Sequence, residues 1–236
     1  MIDVVYARKE VLDLQTNIRK VLVADSPDQL MDDGTAYVVL EDQQLDSYFK
    51  RDDCTLYIPY RRVKPEYTSY AGLSVYFDLE NYPFFRKLAA EIRAQRKGVL
   101  RFRRLTNQEY HSAVMAEDLY VLSAVFGAPE QVTVFQSSKQ TTPVHVILTV
   151  DFGAGTMAHL EYTFAKGERI ELEWSGAKTI LEFNSEEMNP FLPNHHSSLP
   201  LVLSVDSIIE HAHKLNPDFL ARLKKFDALV KGGREE

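Results

Sequence analysis

The chain has 236 residues, of which 45% are hydrophobic and 26% charged, and its formal net charge is −7. This composition is typical of a globular protein with one large or two small hydrophobic cores. The negative charge disfavours nucleic acid and anionic membrane surfaces as partners. Cys54 is the single cysteine, which excludes an intrachain disulfide and a cysteine-based zinc site.

The sequence gives no sign of membrane insertion or secretion. No segment approaches the ~20 consecutive apolar residues of a membrane-spanning helix. Asp3 lies near the N-terminus, where the basic and then apolar pattern of a signal peptide is lacking. We therefore expect a cytoplasmic protein with neither a membrane nor a nucleic-acid partner.

Residues 1–60 alternate between short apolar runs and polar segments. The runs have the length and β-branched content of buried strands, and they cover residues 2–7, 20–24, 36–40 and 55–59. Ser26 and Pro27 form a good helix start, with the serine as cap and the proline at the first helical position. The spacing of the runs predicts βαβ units and a partly parallel sheet.

A nucleotide-binding sheet of this kind normally leaves its first strand through a glycine-rich turn. Backbone N–H groups can approach a pyrophosphate there because no Cβ atoms intervene. The first glycine of this chain is Gly34, and the segment after the first predicted strand, Ala7 to Glu10, has none. Asp25 ends the second predicted strand, where an acid can bind ribose hydroxyls, but a helix cap beside Ser26 is the favoured interpretation.

From residue 73 onward the pattern changes to longer elements. Leu73 to Phe77 is a possible strand, and residues 83–96 have one apolar face and predict a helix. Residues 107–126 predict a second helix, which Gly127 ends. Strands are predicted at residues 99–105, 131–136, 144–152, 156–165, 169–174 and 179–183, and terminal helices at 206–215 and 217–231. Short glycine-containing links between successive strands predict a mostly antiparallel sheet.

Several segments of this half resemble, in order and spacing, the C-terminal domain of the Gfo/Idh/MocA oxidoreductases. This family includes glucose–fructose oxidoreductase and inositol dehydrogenase. The segments are Phe77-Asp78 with its following helix, 98–103, 117–127, 150–155, 174–180 and 219–232. The resemblance implies an α+β fold. Residues 1–72 would form a small Rossmann-like α/β domain, and residues 73–236 an open, mainly antiparallel sheet covered by helices on one face.

The resemblance also implies a hydride-transfer site, from which this sequence departs. Where the family helix carries Asp-x-x-x-His, the chain has Ala113 and Glu117, and Glu117 needs a strongly raised pKa to handle a proton near neutral pH. The family's lysine of Glu-Lys-Pro is matched only by Lys64-Pro65, preceded by Val63. Lys64 and Glu117 are the candidate catalytic residues.

Ligand-binding candidates surround these positions. Arg61 and Arg62, interleaved with tyrosines, could bind a phosphate or a sugar, although a solvated loop is the favoured interpretation. Tyr110, His111 and Tyr120 mark the surface that a sugar would meet in the family's pocket.

Two other motifs have simpler interpretations. Gly153-Ala154-Gly155 precedes a predicted strand, so a hairpin turn is favoured over a phosphate loop. The spacing of His195, His196, His211 and His213 does not converge on one metal, and we predict surface histidines and no metal site.

Three functions stay open at this point. The favoured one is a non-catalytic homologue that has lost the dinucleotide loop and the catalytic histidine, binds a small sugar-like ligand without a cofactor, and forms a homodimer through the C-terminal sheet. The second is an active NAD(P)-dependent oxidoreductase acting on a sugar or polyol. The third is a scaffold whose sheet pairs with another chain.

Overall fold

A computed structural model describes residues 2–6, 12–13, 20–23, 36–39, 55–94, 97–106, 112–138, 142–186 and 201–232. The chain forms two units, the first comprising Met1–Phe85 with Val202–Arg222 and the second Arg86–Leu201 with Leu223–Glu236. The predicted boundary after residue 72 stays a prediction about domain organisation.

The first unit contains a six-stranded sheet among its described residues. Its strands are β1 (Ile2–Tyr6), β3 (Lys20–Val23), β4 (Ala36–Val39), β5 (Thr55–Pro59), β6 (Leu73–Tyr76) and β14 (His213–Lys214), in the order β14-β6-β5-β4-β1-β3. All neighbours pair in parallel except β14, which is antiparallel to β6. The predicted parallel sheet at the N-terminus is therefore present. Strand β3 lies on one side of β1, and the next strands along the chain, β4, β5 and β6, follow on its other side.

Short elements complete the first unit. Strand β2 (Leu12–Asp13) pairs in parallel with β13 (Leu203–Ser204). Two 3-10 turns, Tyr60–Arg62 and Pro65–Ser69, connect β5 to β6, and helix α1 (Asp78–Asn81) follows β6. Helix α2 (Pro83–Ala94) and helix α5 (Pro217–Val230) each contain the point at which the chain passes between the units. Helix α4 (Val205–His211) lies directly after β13.

The second unit contains another six-stranded sheet, with the order β12-β11-β7-β10-β9-β8. Its strands are β7 (Gly98–Thr106), β8 (Gln131–Gln136), β9 (Val144–Asp151), β10 (Thr156–Phe164), β11 (Arg169–Gly176) and β12 (Ile180–Asn184). Only the β7–β10 pair is parallel among these described neighbours, so the sheet is mainly antiparallel, as predicted.

The short link between β10 and β11 does not join neighbouring strands. It consists of four residues, Ala165 to Glu168. Strand β7 lies between β10 and β11, parallel to β10 and antiparallel to β11. The link therefore crosses the end of β7, and Gly167, with a φ of 120°, packs beside Leu105. A Cβ at residue 167 would come within 3.1 Å of the Leu105 side chain.

One prediction needs correction in the C-terminal segment, where a single helix was predicted over residues 206–215. Helix α4 ends at His211, and His213 and Lys214 form β14. The helix stops because the backbone N–H of Leu215 donates to the carbonyl of Leu73 (2.9 Å), which extends the first sheet by one strand. His211 and His213 therefore lie on different elements.

The hairpin interpretation of Gly153-Ala154-Gly155 is confirmed. The segment joins the antiparallel strands β9 and β10, and the N–H of Phe152 donates to the carbonyl of Thr156 (3.0 Å). All three residues have positive φ values of 73°, 52° and 83°, a conformation that glycine adopts without a steric penalty.

Helix α3 (Ser112–Phe126) covers the inner face of the second sheet. Even-numbered strand residues such as Leu100, Phe102 and Leu160 are fully buried on this face. The ring of Phe126 stacks on that of Trp174, with 5.3 Å between centroids. Helices therefore lie on one face of an open sheet, in agreement with the predicted fold class.

The opposite face of the second sheet, here called the outer face, is partly exposed. It is formed by alternate strand residues, among them Val99, Arg101, Arg103, Phe135, Met157, His159, Glu161, Glu171 and Glu173. Arg101 pairs with Glu173 (2.6 Å), and Arg103 pairs with Glu161 (3.1 Å) and Glu171 (3.4 Å). Phe135, Met157 and Ile180 are exposed large hydrophobic side chains.

Candidate functional site

The carboxyl edge of the first sheet brings together two chain segments that follow neighbouring strands. Strands β5 and β6 run in parallel with Pro59 opposite Tyr76, so both end at the same edge. The turn Tyr60–Arg62 follows β5, and Phe77 with Asp78 follows β6. Open α/β sheets bind ligands at the carboxyl ends of their strands, which makes this edge the candidate site.

An ion pair joins the two segments. Nη1 of Arg61 lies 2.6 Å from Oδ2 of Asp78, and the two side chains are only 14% and 8% exposed. A guanidinium and a carboxylate this close and this sheltered from water hold each other firmly, because loss of one partner would leave an uncompensated buried charge. The pair fixes the turn after β5 against the start of α1.

A second polar pair involves the C-terminal segment. Nε2 of His213, on β14, lies 2.9 Å from Oε2 of Glu80, on α1. An ionised carboxylate only accepts hydrogen bonds, so in this pair Nε2 carries the hydrogen. The His213 and Glu80 side chains are 31% and 26% exposed, so both reach solvent.

Aromatic rings fix the orientation of the imidazole. The His213 ring stacks on Phe219, with 5.3 Å between centroids and 16° between planes. It also contacts Phe77 at 5.3 Å with a tilt of 56°. Phe77 and Phe219 are themselves buried, so the imidazole rests on a rigid apolar support. We call Arg61, Asp78, Glu80 and His213 the carboxyl-edge cluster.

Buried hydrogen bonds hold helix α1 in place beneath this cluster. The Asn81 amide donates to the backbone carbonyl of Phe77 (2.8 Å), and the Ser207 hydroxyl donates to Oδ1 of Asn81 (2.9 Å). The residues that present Asp78 and Glu80 are thus tied to β6 and to helix α4. This arrangement keeps the cluster pre-organised.

The residues predicted as site candidates are distributed over both units. Arg61 belongs to the carboxyl-edge cluster, and Arg62 is half-buried in the same turn. Lys64 is exposed, with its ammonium 5.5 Å from the centre of the Tyr67 ring. Tyr110 and His111 lie outside the described residues. Tyr120 is half-buried, with its ring edge-on to Phe226 at 5.5 Å.

Glu117 lies in a buried polar group of the second unit, where it is 1% exposed. Beside it on α3, Asp118 forms an ion pair with Arg104 of β7 at 2.7 Å, and both side chains are buried. Burial raises the pKa of the nearby Tyr162 phenol well above its ordinary value, the charge of Asp118 raises it further, and Arg104 partly opposes the rise. Buried charge is thus concentrated between α3 and the sheet.

Sequence reasoning missed Asp78, Glu80 and His213 as site residues. The sequence could have indicated Asp78 as a site residue, since it directly follows the predicted strand from Leu73 to Phe77. His213 had none, because it lies 133 positions from Glu80 and was assigned to a helix. Only the pairing of β14 with β6 brings it to this edge.

The described residues contain neither a metal-binding cluster nor a membrane-spanning helix. No group of three or more histidine, cysteine, aspartate or glutamate side chains within these ranges is arranged to hold a metal ion. None of the helices in the part of the chain that the structure describes has the length and apolar character needed to cross a membrane.

Comparison with solved structures gives matches over most of the chain. A dehydrogenase from Chromobacterium violaceum is 10% identical, with a TM-score of 0.56 over 92% of this chain and 82% of that one. A myo-inositol dehydrogenase from Corynebacterium glutamicum is 16% identical, with a TM-score of 0.52 over 90% and 72% of the two chains. The fold is that of the Gfo/Idh/MocA oxidoreductases.

This structural similarity confirms the resemblance predicted from the sequence, at the level of the fold. No protein-family model matches this chain, and no curated protein matches it either. At 10% and 16% identity the Gfo/Idh/MocA likeness extends to the fold alone. Activity, ligand and assembly therefore have to be argued from this chain's own residues.

Proposed function

We propose that this protein binds a sugar-like or polyol ligand on a Gfo/Idh/MocA fold and does not transfer hydride. The observation that carries the proposal is the position of β1 at the switch point of the first sheet. The strand order reverses between β3 and β4 around this strand, and dinucleotides bind at such a switch point, with the pyrophosphate against the turn after the strand. The residues that follow β1 are Ala7 to Val11, which lie outside the described residues and include no glycine.

A segment without glycine is a poor sequence match for a pyrophosphate-binding turn, because glycine lets the backbone N–H groups approach the phosphate oxygens with no Cβ atoms in the way. NAD(P) is therefore a poor match for this chain. When bound, that cofactor would supply a hydride acceptor.

The position of the family histidine also supports a non-catalytic role. Glu117 takes that position in the resemblance, and Ala113 replaces the family aspartate. Both are buried, with 1% and 9% of their surface exposed. A buried carboxylate beside the Arg104–Asp118 ion pair is better suited to organising the α3–sheet interface than to exchanging a proton with a ligand.

The ligand class follows from the fold and from the carboxyl-edge cluster. One structural neighbour is a myo-inositol dehydrogenase, which suggests a polyol or sugar. The cluster offers hydrogen-bond donors and acceptors to hydroxyl groups. An active NAD(P)-dependent oxidoreductase, with Lys64 or Glu117 handling the proton, is the second candidate, and the retained parallel sheet favours it.

We further propose that the protein forms a homodimer through the outer face of the second sheet. Such a dimer would cover the exposed side chains of Phe135, Met157 and Ile180 and the charged rows of β7 and β11. A scaffold that pairs this face with another chain is the alternative. A cytoplasmic location stays a prediction from the sequence.

A thermal-shift titration tests the proposed function. The purified protein is titrated with NAD(H), with NADP(H), and separately with a panel of sugars and polyols that includes myo-inositol. We expect a saturable rise in melting temperature with a member of the panel and none with millimolar nucleotide, because a ligand that binds the folded state stabilises it. A saturable rise with either nucleotide would overturn the non-catalytic proposal in favour of the oxidoreductase.

A further inference from the structure

A cavity of about 310 Å³ lies on the outer face of the second sheet, where the strands β7, β11 and β12 run side by side. Arg101 and Arg103 of β7 line it, together with Glu182 and Asn184 of the edge strand β12 and residues 171–173 of β11. Small-molecule sites have volumes of about 300–1,000 Å³. The cavity is therefore large enough for a compact molecule.

The arginines of the cavity already have carboxylate partners. Nη1 of Arg101 lies 2.6 Å from Oε1 of Glu173. Arg103 is shared by two glutamates, with Nε 3.1 Å from Oε2 of Glu161 and Nη1 3.4 Å from Oε2 of Glu171. With each guanidinium matched in this way, the cavity has no excess positive charge to attract a phosphate or carboxylate ligand.

The carboxylates, in contrast, outnumber the arginines. Glu182 lies directly opposite Glu173 in the antiparallel register of β11 and β12. No ion pair within the described part of the chain includes Glu182. A hydrogen bond from Ser175 (2.7 Å) and the charge of Arg101 lower the pKa of Glu173, although desolvation opposes them, so this carboxylate is ionised near neutral pH. Like charges directly opposite each other destabilise a sheet, and a cation between them would relieve the repulsion.

The kind of cation follows from the arrangement of the acids. Glu171, Glu173 and Glu182 do not form a group that could hold a metal ion. Side chains directly opposite each other on antiparallel strands have Cβ atoms about 4.5–5.5 Å apart. An ammonium group has three N–H donors and no acceptor, so it can donate to both carboxylates of such a pair at once. The organic part of an amine would occupy the rest of the cavity.

We propose that this cavity binds a small organic cation with a primary ammonium group, which Glu173 and Glu182 hold between them. The inference goes beyond the proposed function, since it needs neither the sugar-like ligand nor the homodimer. It gives a binding role to charged residues of the outer face, which a dimer contact alone leaves without a ligand.

Calorimetry of the purified full chain with putrescine tests the site. Putrescine has two primary ammonium groups and no carboxylate. We expect saturable binding at low ionic strength that weakens as salt is added, because the carboxylates of the cavity are partly exposed. Succinate, a dianion, is the comparison and should give no saturable signal. Binding of succinate but not of putrescine would overturn the proposal.

Two matched variants locate the binding. Glu182→Gln keeps the shape of the side chain and removes its charge, and it should weaken putrescine binding about tenfold or more, because a hydrogen bond to a charged group is lost. It should not lower the melting temperature of the unliganded protein, since it removes a like-charge pair. Glu168→Gln makes the same change at an exposed position outside the cavity and should leave binding unaltered. Equal binding to both variants would refute the site.

A homodimer through the outer face would close over the cavity, so the titration is repeated with Phe135→Asp. This substitution lies on β8, at the opposite edge of the sheet from β12. Putrescine binding that depends on Glu182, in the unaltered protein or in Phe135→Asp, supports the site. Absence of binding in both overturns it. The thermal-shift result with sugars and polyols is unaffected by either outcome, so the proposed function stands or fails separately.

Discussion

At the scale of single residues, the second unit contains a buried polar group between α3 and the sheet. Arg104 and Asp118 are 2.7 Å apart, and the Tyr162 hydroxyl lies in the same buried region. Charge buried at this depth is tolerated because it is paired, and removal of either partner would be strongly destabilising. The group therefore fixes the position of α3 on the inner face of the sheet.

The raised pKa of Tyr162 leads to a pH-dependent prediction. Because the phenol ionises at higher pH in the folded than in the unfolded chain, it contributes stability that is fully present below its unfolded pKa of about 10 and is lost as pH rises above that value. Denaturant unfolding at a series of alkaline pH values should show the unaltered protein losing stability relative to Tyr162→Phe. A difference between the two proteins that stays constant across this range would contradict the prediction.

At the scale of secondary-structure elements, the start of β7 is tightly packed against the end of β11. A Cβ added at Gly98 would lie 2.5 Å from the carbonyl oxygen of Ser175 and 2.9 Å from Cα of Gly176, which are both backbone atoms. These neighbours cannot move without disturbing the pairing of β7 with β11. Only glycine, which has no Cβ atom, therefore fits at residue 98 without a steric clash.

Gly98→Ala should consequently destabilise the second sheet. We expect a loss of about 1–3 kcal/mol in the free energy of unfolding, the usual range for overpacking a well-filled site. Urea denaturation followed by circular dichroism measures it. Val99→Ala, which trims a neighbouring side chain that is 39% exposed, is the matched control and should change stability much less. Equal stability of Gly98→Ala and the unaltered protein would show that the strands can separate at little cost.

At the scale of the whole molecule, the outer face of the second sheet combines exposed apolar side chains with rows of alternating charge. Phe135, on the edge strand β8, is 59% exposed, and Ile180, on the edge strand β12, is 67% exposed. Between them, Arg101 and Arg103 on β7 are flanked by glutamates of β10 and β11. A face of this kind is suited to contact with a second protein surface.

We predict that the protein is a dimer in solution and that this face mediates the association. Phe135→Asp should shift the mass measured by light scattering from twice that of one chain toward that of a single chain, because a desolvated carboxylate disfavours the interface. Lys224→Asp, on an exposed position of α5, is the control and should leave the dimer intact. A monomeric unaltered protein would exclude the homodimer.

The local pattern of the second unit was readable from the sequence because its elements are long and regularly alternating. Strand β8 was predicted and observed at residues 131–136, and the predicted turn at Gly153 to Gly155 is a hairpin. The helix that begins at Pro83 was also predicted, since its apolar residues recur at helical spacing. These features depend on neighbours in the chain, which a single sequence displays.

The sequence by itself determined the fold class, the two kinds of sheet and the absence of glycine after β1. Tertiary structure alone decided that β7 separates β10 from β11, and that β14 joins the first sheet and brings His213 to Glu80. Strand order and such contacts depend on hydrogen bonds between residues far apart in the chain. The free energy of those pairings depends on the packing of the complete sheets, so local periodicity carries no signal for them.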